Sequence, residues 1–214
     1  MSQDIPARPP ELIATMPHSS PLRVSTLLGA IALTACNSIV PVPRTPALYD
    51  LPLPDKAQAE RPLAGLLAVE ITSPTWLRSA AMQYRLDGER GLQRRSYADS
   101  RWVAQPAEML SLALTRSLAA GEGTGGRCVL SLELDEFIQV FDSADRSHAA
   151  VALRATLLRR GERRPLATTN LRVSSPAPSA DAEGGVQAYR VALAQLGRDI
   201  QGWAGALTPA CIRD

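Results

Sequence analysis

Histidine is scarce in this sequence of 214 residues, in which only His18 and His148 occur. A nucleophilic serine or cysteine side chain usually needs a basic partner, and histidine is the commonest one. Zinc sites likewise draw their ligands mainly from histidine and cysteine, and the chain has only 3 cysteines. The scarcity argues against an enzyme, and we expect neither a metal centre nor a cofactor.

A strong charge of either sign is also missing, because 23 Lys and Arg residues face 21 Asp and Glu residues, for a net charge of +2. This balance excludes the strongly basic field of a dedicated nucleic-acid-binding protein. It equally excludes an acidic, aromatic-poor disordered chain. With 45% hydrophobic residues, the length suits one folded domain that has its own core.

The uncharged apolar run at residues 24–33 is too short to cross a bilayer. Arg23 precedes it and small residues follow it, which is the layout of a signal peptide. The letters L-T-A-C that end at Cys36 resemble the lipobox of bacterial lipoproteins. The resemblance implies cleavage before Cys36 and attachment of a diacylglyceryl group to its thiol. We therefore interpret residues 1–35 as a signal peptide, with Met16 as an alternative start.

The segment after the lipobox predicts how the domain is held. Residues 36–47 are rich in proline, and an extended polyproline tether of this length reaches roughly 30 Å at about 3.1 Å per residue. In bacterial lipoproteins, Asp directly after the lipidated cysteine favours retention in the inner membrane. This chain has Asn37 at that position, so the resemblance implies a periplasm-facing position on the outer membrane. The alternative is a buried N-terminal helix with an ordinary Cys36, which Pro21 and the prolines after the run argue against.

Cys128 and Cys211 are the cysteines that lipidation would leave. An even pair in an oxidising periplasm is a candidate disulfide. Such a bond would tie the C-terminal tail to a predicted strand. The alternative is two unpaired thiols, one at the start of the strand and one on a frayed tail.

Hydrophobic periodicity predicts the fold of residues 48–214. Alternation predicts strands near residues 67–71, 128–135 and 151–157, a partner strand at residues 166–173 and a hairpin at residues 81–97. Three-four spacing predicts helices at residues 106–119 and from Asp181 to Trp203. Grouped strands with two helices indicate an α+β domain with a mainly antiparallel, mixed sheet packed by two helices.

The alternation in residues 128–135 shifts near Glu136, which predicts a β-bulge. After the bulge, Phe137 and Phe141 are expected to share the opposite face of the sheet. Glu133, Asp135 and Glu136 are the carboxylates available for chemistry without histidine, but their place on a polar sheet face favours simple solvation.

Four arginines surround a predicted turn, at positions 159, 160, 163 and 164. A solvated hairpin tip is the simpler interpretation and the one that the pattern favours. Contact with anionic lipid headgroups or with an acidic partner is the alternative.

The stretch S-R-W-V-A-Q-P-A-E-M-L at residues 100–110 places Arg beside Trp at the start of a helix, a composition typical of binding surfaces. The alternative is a purely structural role, with Trp102 in the core and Arg101 paired to a carboxylate. The stretch resembles the auxiliary lipoprotein components of ABC-type transporters, a family that includes paraquat-inducible protein C. Other matching parts are L-Y-D-L at residues 48–51, W-L-R-S-A-A-M-Q-Y-R-L at 76–86 and E-L-D-E-F-I-Q-V-F-D at 133–142.

The resemblance implies a non-enzymatic partner of a lipid transport system between the inner and outer membranes. In such systems an ABC permease and ATPase work with a mammalian-cell-entry (MCE) domain protein, to which the lipoprotein would dock. Phospholipid and a second copy of the chain are further candidate partners. The candidate docking residues are Tyr49, Arg101, Trp102, Phe137 and Phe141.

Two other functions remain open from the sequence. A lipoprotein that activates or scaffolds another envelope enzyme, such as a cell-wall synthase, would share the same domain and tether. A lipid-anchored hydrolase that uses acids alone would need two carboxylates pointing into a concave pocket.

Overall fold

The structure, a computed structural model, describes residues 45–51, 63–87, 91–119 and 126–212. The predicted signal peptide, Cys36 and nearly all of the predicted tether lie outside the described residues. The predictions for the N-terminal segment therefore stay predictions.

The described residues form seven strands, three helices and a short 3-10 helix at Thr75–Leu77. The strands are β1 (Ala47–Tyr49), β2 (Leu66–Thr72), β3 (Ala81–Leu86), β4 (Arg95–Trp102), β5 (Cys128–Phe141), β6 (Ser147–Arg159) and β7 (Ala167–Pro176). The helices are α1 (Pro106–Ser117), α2 (Ala182–Gly205) and the one-turn α3 (Pro209–Ile212). The predicted α+β class is confirmed.

The seven strands form one mixed sheet, in which six follow the order β1-β4-β3-β5-β6-β7 and β2 pairs with β5 outside this path. The pairs β1–β4, β2–β5 and β3–β5 are parallel, whereas β3–β4, β5–β6 and β6–β7 are antiparallel. The long strand β5 organises the sheet. Strand β2 pairs with residues 128–133 of β5 and β3 with residues 139–141, while β6 runs along the whole opposite edge.

The core lies between the sheet and the helices. Leu130, Leu132 and Leu134 of β5 are fully buried and pack in one apolar cluster with residues of α1 and α2. Glu133 and Asp135 alternate with these leucines and are exposed, as expected for a strand with one buried face. Helix α1 lies over β2, and α2 lies over β6 and β7.

The predicted β-bulge is present, since the pairing of β5 with β6 skips a residue between Leu134 and Glu136. The predicted face of Phe137 is wrong. The extra residue in the bulge shifts the alternation of the strand by one position, so that Phe137 pairs with Val151 and faces the same core as Leu134.

The two long helices begin where the sequence predicts. Pro106 occupies the first turn of α1, and Gln105 and Glu108 form a capping box there. Asp181 caps α2 by accepting the Gly184 N–H at 2.7 Å. This bond, with one from the Ser179 hydroxyl, lowers the pKa of the Asp181 carboxyl. Among the described helices, none is both long and apolar enough to cross a bilayer.

Candidate functional site

Trp102, the residue that stands out most in the sequence, is buried at the end of β4, where it is 2% exposed. Its ring contacts Phe137 and Tyr189 edge-on, with centroid distances of 5.6 and 5.4 Å. Phe137 and Tyr189 stack on each other at 4.2 Å. The three rings join the sheet to α2. Trp102 and Phe137 are therefore core residues, and neither offers a surface to a partner in this structure.

Backbone hydrogen bonds fix the chain around Trp102. The Trp102 N–H donates to the Ala80 carbonyl at 2.8 Å, and the next N–H, of Val103, donates to the Tyr49 carbonyl at 2.9 Å. The junction between β4 and α1 is thus held on one side by the residue before β3 and on the other by β1. A buried tryptophan in this position holds the neighbouring exposed residues in fixed places.

Those neighbours form a surface at the edge of the sheet, which we call the β1 edge surface (Leu48, Tyr49, Arg101 and Val103). Leu48 lies opposite Arg101 in the register, and Tyr49 lies opposite Trp102. Leu48 is 65% exposed and Val103 is 51% exposed, and Arg101 is exposed while Tyr49 is half-buried. Within the part of the chain that the structure describes, no carboxylate pairs with Arg101.

Phe141, the remaining docking candidate, lies elsewhere, at the far end of β5. Its ring contacts Tyr84 of β3 at 5.5 Å, and Tyr84 in turn contacts Tyr97 of β4 at 4.8 Å. The five candidate docking residues therefore fall into three places: Tyr49 and Arg101 at the β1 edge surface, Trp102 and Phe137 in the core, and Phe141 in this aromatic group.

A buried polar network beside these aromatic rings was not predicted. Gln139 is 1% exposed, and its amide nitrogen donates to Ser147 Oγ at 2.8 Å and to the Asp181 carbonyl at 3.0 Å. Its amide oxygen accepts from the Tyr97 hydroxyl at 2.9 Å. The network joins β4, β5 and β6 to the cap of α2. Gly185 is the sequence signal for this network, because α2 passes so close to Gln139 there that a Cβ atom would contact its amide oxygen.

Two tyrosines near the network are kept in the protonated form. Burial raises the pKa of Tyr97, and the charges of Asp181 and Tyr84 raise it further. Burial also raises the pKa of Tyr189 well above its usual value. Both hydroxyls thus remain neutral and can act as hydrogen-bond donors throughout the physiological pH range.

Two of the ionisable groups, Glu136 and His148, make local ion pairs, whereas Glu133 and Asp135 are exposed on the sheet. Glu136 contacts both Arg85 and Arg94, and His148 Nδ1 lies 3.1 Å from a carboxylate oxygen of Asp142. Over residues 45–212, apart from the gaps in the description, no group of three or more His, Cys, Asp or Glu side chains could hold a metal ion.

Cys128 and Cys211 form a disulfide in which the Cα atoms are 5.3 Å apart. Both residues are 1% exposed. The bond fastens α3 to the first residue of β5. Gly65 lies against the bond, because a Cβ atom at that position would stand 2.8 Å from the Cys211 Cβ.

Comparison with solved structures shows the same fold in other proteins. A Xanthomonas campestris protein assigned to the DUF330 family superposes with a TM-score of 0.63 at 20% sequence identity, covering 77% of this chain and 97% of its own. An uncharacterized protein superposes with a TM-score of 0.57 at 16% identity, covering 73% of this chain and 97% of its own. No curated protein matches the sequence.

The sequence itself matches a family of transport proteins over residues 49–201, which include β2 to β7, α1 and most of α2. The match covers the β1 edge surface from Tyr49 onward, the Trp102 anchor and the Gln139 network. Members are lipoproteins that accompany an ABC-type transport system, which places them on a membrane of the cell envelope. The chain belongs to the family of ABC-type transport auxiliary lipoprotein components.

Proposed function

We propose that this protein is a non-enzymatic lipoprotein of the outer membrane that faces the periplasm and docks to the MCE-domain protein of an ABC-type lipid transport system. The family match over residues 49–201 carries the proposal. In it, residues 1–35 are the signal peptide, the lipid on Cys36 is the anchor, and residues 36–47 are the tether. The domain from residue 48 onward makes the contact.

The contacts of the polar side chains support a binding role. Gln139 connects strands to a helix cap, and Glu136 is shared by two arginines. These groups are engaged in holding the sheet and the helices together. A transport auxiliary component needs such a scaffold and an exposed surface, and it needs no reacting group.

The β1 edge surface is the docking site that we favour. Leu48, Arg101 and Val103 combine exposed aliphatic groups with a guanidinium, and arginine is enriched in protein interfaces while charged residues of other types are depleted. Trp102 beneath them keeps the surface fixed, which lowers the entropic cost of binding. β1 is also the last strand on its side of the sheet, so a partner strand could pair with it.

Co-purification tests the proposal. The tagged full-length protein is extracted from envelopes in mild detergent, and its partners are quantified by mass spectrometry. We expect the MCE-domain protein, the permease and the ATPase to be enriched together with it. A Cys36→Ser variant should lose labelling by a clickable fatty acid and should recover less of these proteins. Recovery of a cell-wall synthase without the MCE-domain protein would contradict the proposal and favour the role of an enzyme activator.

A further inference from the structure

Five arginines gather at one end of the sheet, in a group that we call the arginine tip (Arg127, Arg159, Arg160, Arg163 and Arg164). They lie just before β5, at the end of β6 and in the turn that leads to β7. All are exposed except Arg159, which is half-buried. Glu162 is the one acidic residue of that turn, and its carboxylate lies 3.5 Å from Arg159.

The base of the arginine tip is rigid. Arg159 Nε donates to the Ala210 carbonyl of α3 at 2.9 Å, and the Arg160 N–H donates to the Arg127 carbonyl. The neighbour of Ala210 is Cys211, which is covalently bound to Cys128. The disulfide therefore holds α3 in the position where it orients Arg159. The Arg159 guanidinium is thereby held in place, and a fixed guanidinium loses less side-chain entropy on binding than a mobile one.

Strand directions place the arginine tip away from the end of the sheet at which the described chain enters it. β1 is parallel to β4, β4 is antiparallel to β3, and β3 is parallel to β5. β1 thus runs antiparallel to β5. The chain enters β1 from the side where β5 ends, whereas the arginine tip lies where β5 begins. β1 therefore runs toward the end of the sheet that carries the arginine tip, and the described chain enters it from the other side.

We propose that the arginine tip is a docking site for an acidic protein surface, presented by the transport component to which the lipoprotein binds; this step rests on the proposed function. Guanidinium groups match carboxylates in bidentate pairs. The residues R-G-E-R-R-P of the turn include no Trp, Phe or Leu, the apolar residues with which basic residues combine in interfacial membrane binding. The composition of the turn thus favours a protein over anionic lipid.

Charge reversal tests whether the arginine tip is a docking site. The full-length lipoprotein with Arg163→Glu and Arg164→Glu is compared with a matched control that carries Arg154→Glu and Arg172→Glu. The control changes the charge equally, on exposed arginines of the two strands that the turn joins. Binding to the purified MCE-domain protein is titrated at several salt concentrations, as is binding to vesicles of phosphatidylcholine with phosphatidylglycerol.

We expect the tip variant to bind the MCE-domain protein at least tenfold more weakly at low salt, mainly through slower association, and its affinity to depend less on salt. The control should bind within about twofold of wild type. Equal binding of the tip variant and the control to the MCE-domain protein would show that the arginine tip is not a docking site, and it would leave the proposed function intact. If the tip variant lost binding to the anionic vesicles but not to the MCE-domain protein, the ligand of the arginine tip would be anionic lipid and the proposed acidic protein surface would be wrong. Absence of wild-type binding to the MCE-domain protein would instead contradict the proposed function.

Unfolding curves exclude a trivial cause of lost binding. The side chains at positions 163 and 164 are exposed, so the tip variant should match wild type in its free energy of unfolding to within about 0.5 kcal/mol. The control should lose no more than about 1 kcal/mol, because Arg154→Glu places a carboxylate opposite Glu133 in the pairing of β5 with β6. A photo-crosslinking residue at position 163 provides an independent measurement, since it should label the MCE-domain protein whereas the same residue at position 172 should not.

Discussion

At Gly185, α2 passes so close to β5 that a side chain has no room. A Cβ atom there would stand 2.2 Å from the amide oxygen of Gln139. Because Gln139 is held by three hydrogen bonds, it cannot move aside without leaving buried polar groups unpaired. The close approach makes glycine a requirement of the network.

We therefore expect Gly185→Ala to reduce the free energy of unfolding by about 1–3 kcal/mol, the usual cost of overpacking. Gly202→Ala is the matched control in the same helix, since nothing lies within 4 Å of a Cβ atom at Gly202. The control should gain about 0.5–1 kcal/mol from helix propensity. Denaturant unfolding measures both. Similar effects at the two positions would contradict the description of the Gln139 network.

Trp102 is expected to act on stability. Trp102→Ala would empty a fully packed site between Phe137 and Tyr189 and should cost about 3–5 kcal/mol. Trp76→Ala is the control, because Trp76 is 57% exposed; it should change stability by less than about 0.5 kcal/mol. If both variants unfold like wild type in denaturant titrations, Trp102 is not a core anchor.

The sequence predicts the environment of individual side chains less well than it predicts the secondary-structure elements. The S-R-W motif marks Trp102 as important but leaves open whether its ring faces the core or a partner. Gln139 gives no such sign, because a polar residue in a strand ordinarily faces solvent. Its burial depends on the bulge near Glu136, which shifts the phase, and on a helix cap that is 42 positions away in the chain.

At the scale of elements, α3 depends on a covalent bond. Four residues are too few for a helix to persist alone, and the Cys128–Cys211 disulfide fixes this one against β5. The bond closes a loop across a sequence separation of 83 residues, so its loss should cost about 4 kcal/mol in the loop-entropy account.

A variant with Cys128→Ala and Cys211→Ala tests the contribution of the disulfide. We expect its denaturant midpoint to fall, and we expect a reducing agent to lower the midpoint of wild type but not that of the variant. An unchanged midpoint in both comparisons would show that the disulfide contributes nothing to the stability of the domain.

Periodicity predicts most of the elements and little of their arrangement. Strands β2, β5, β6 and β7 and helices α1 and α2 each have several alternating or three-four spaced apolar residues, so the pattern is visible. β1 and α3 have three and four residues, fewer than a pattern needs. The order of the strands follows from non-local pairing, as when β2 and β3 share one edge of β5, and no local signal encodes that choice.

At the scale of the whole molecule, the helices cover one face of the sheet and the two ends of the sheet differ. The described chain enters at the lateral edge strand β1, beside exposed Leu48 and Arg101, whereas the arginine tip lies where β5 begins. In the proposed function, the β1 edge surface and the arginine tip contact the same partner. The β1 edge surface follows the tether in the chain and offers aliphatic groups beside Arg101, whereas the arginine tip offers charge alone. Two separated contacts fix orientation better than one, which suits a component that aligns a transport system with a membrane.

Reconstituted lipid transfer tests the proposed function most directly. Vesicles that carry the complete inner-membrane transporter and its MCE-domain protein are mixed with acceptor vesicles that carry the lipidated protein, and movement of a fluorescent phospholipid is followed. We predict transfer at least tenfold faster than with acceptors that received the unlipidated Cys36→Ser protein. Equal rates for lipidated protein, Cys36→Ser protein and empty acceptors would contradict a role in lipid transport.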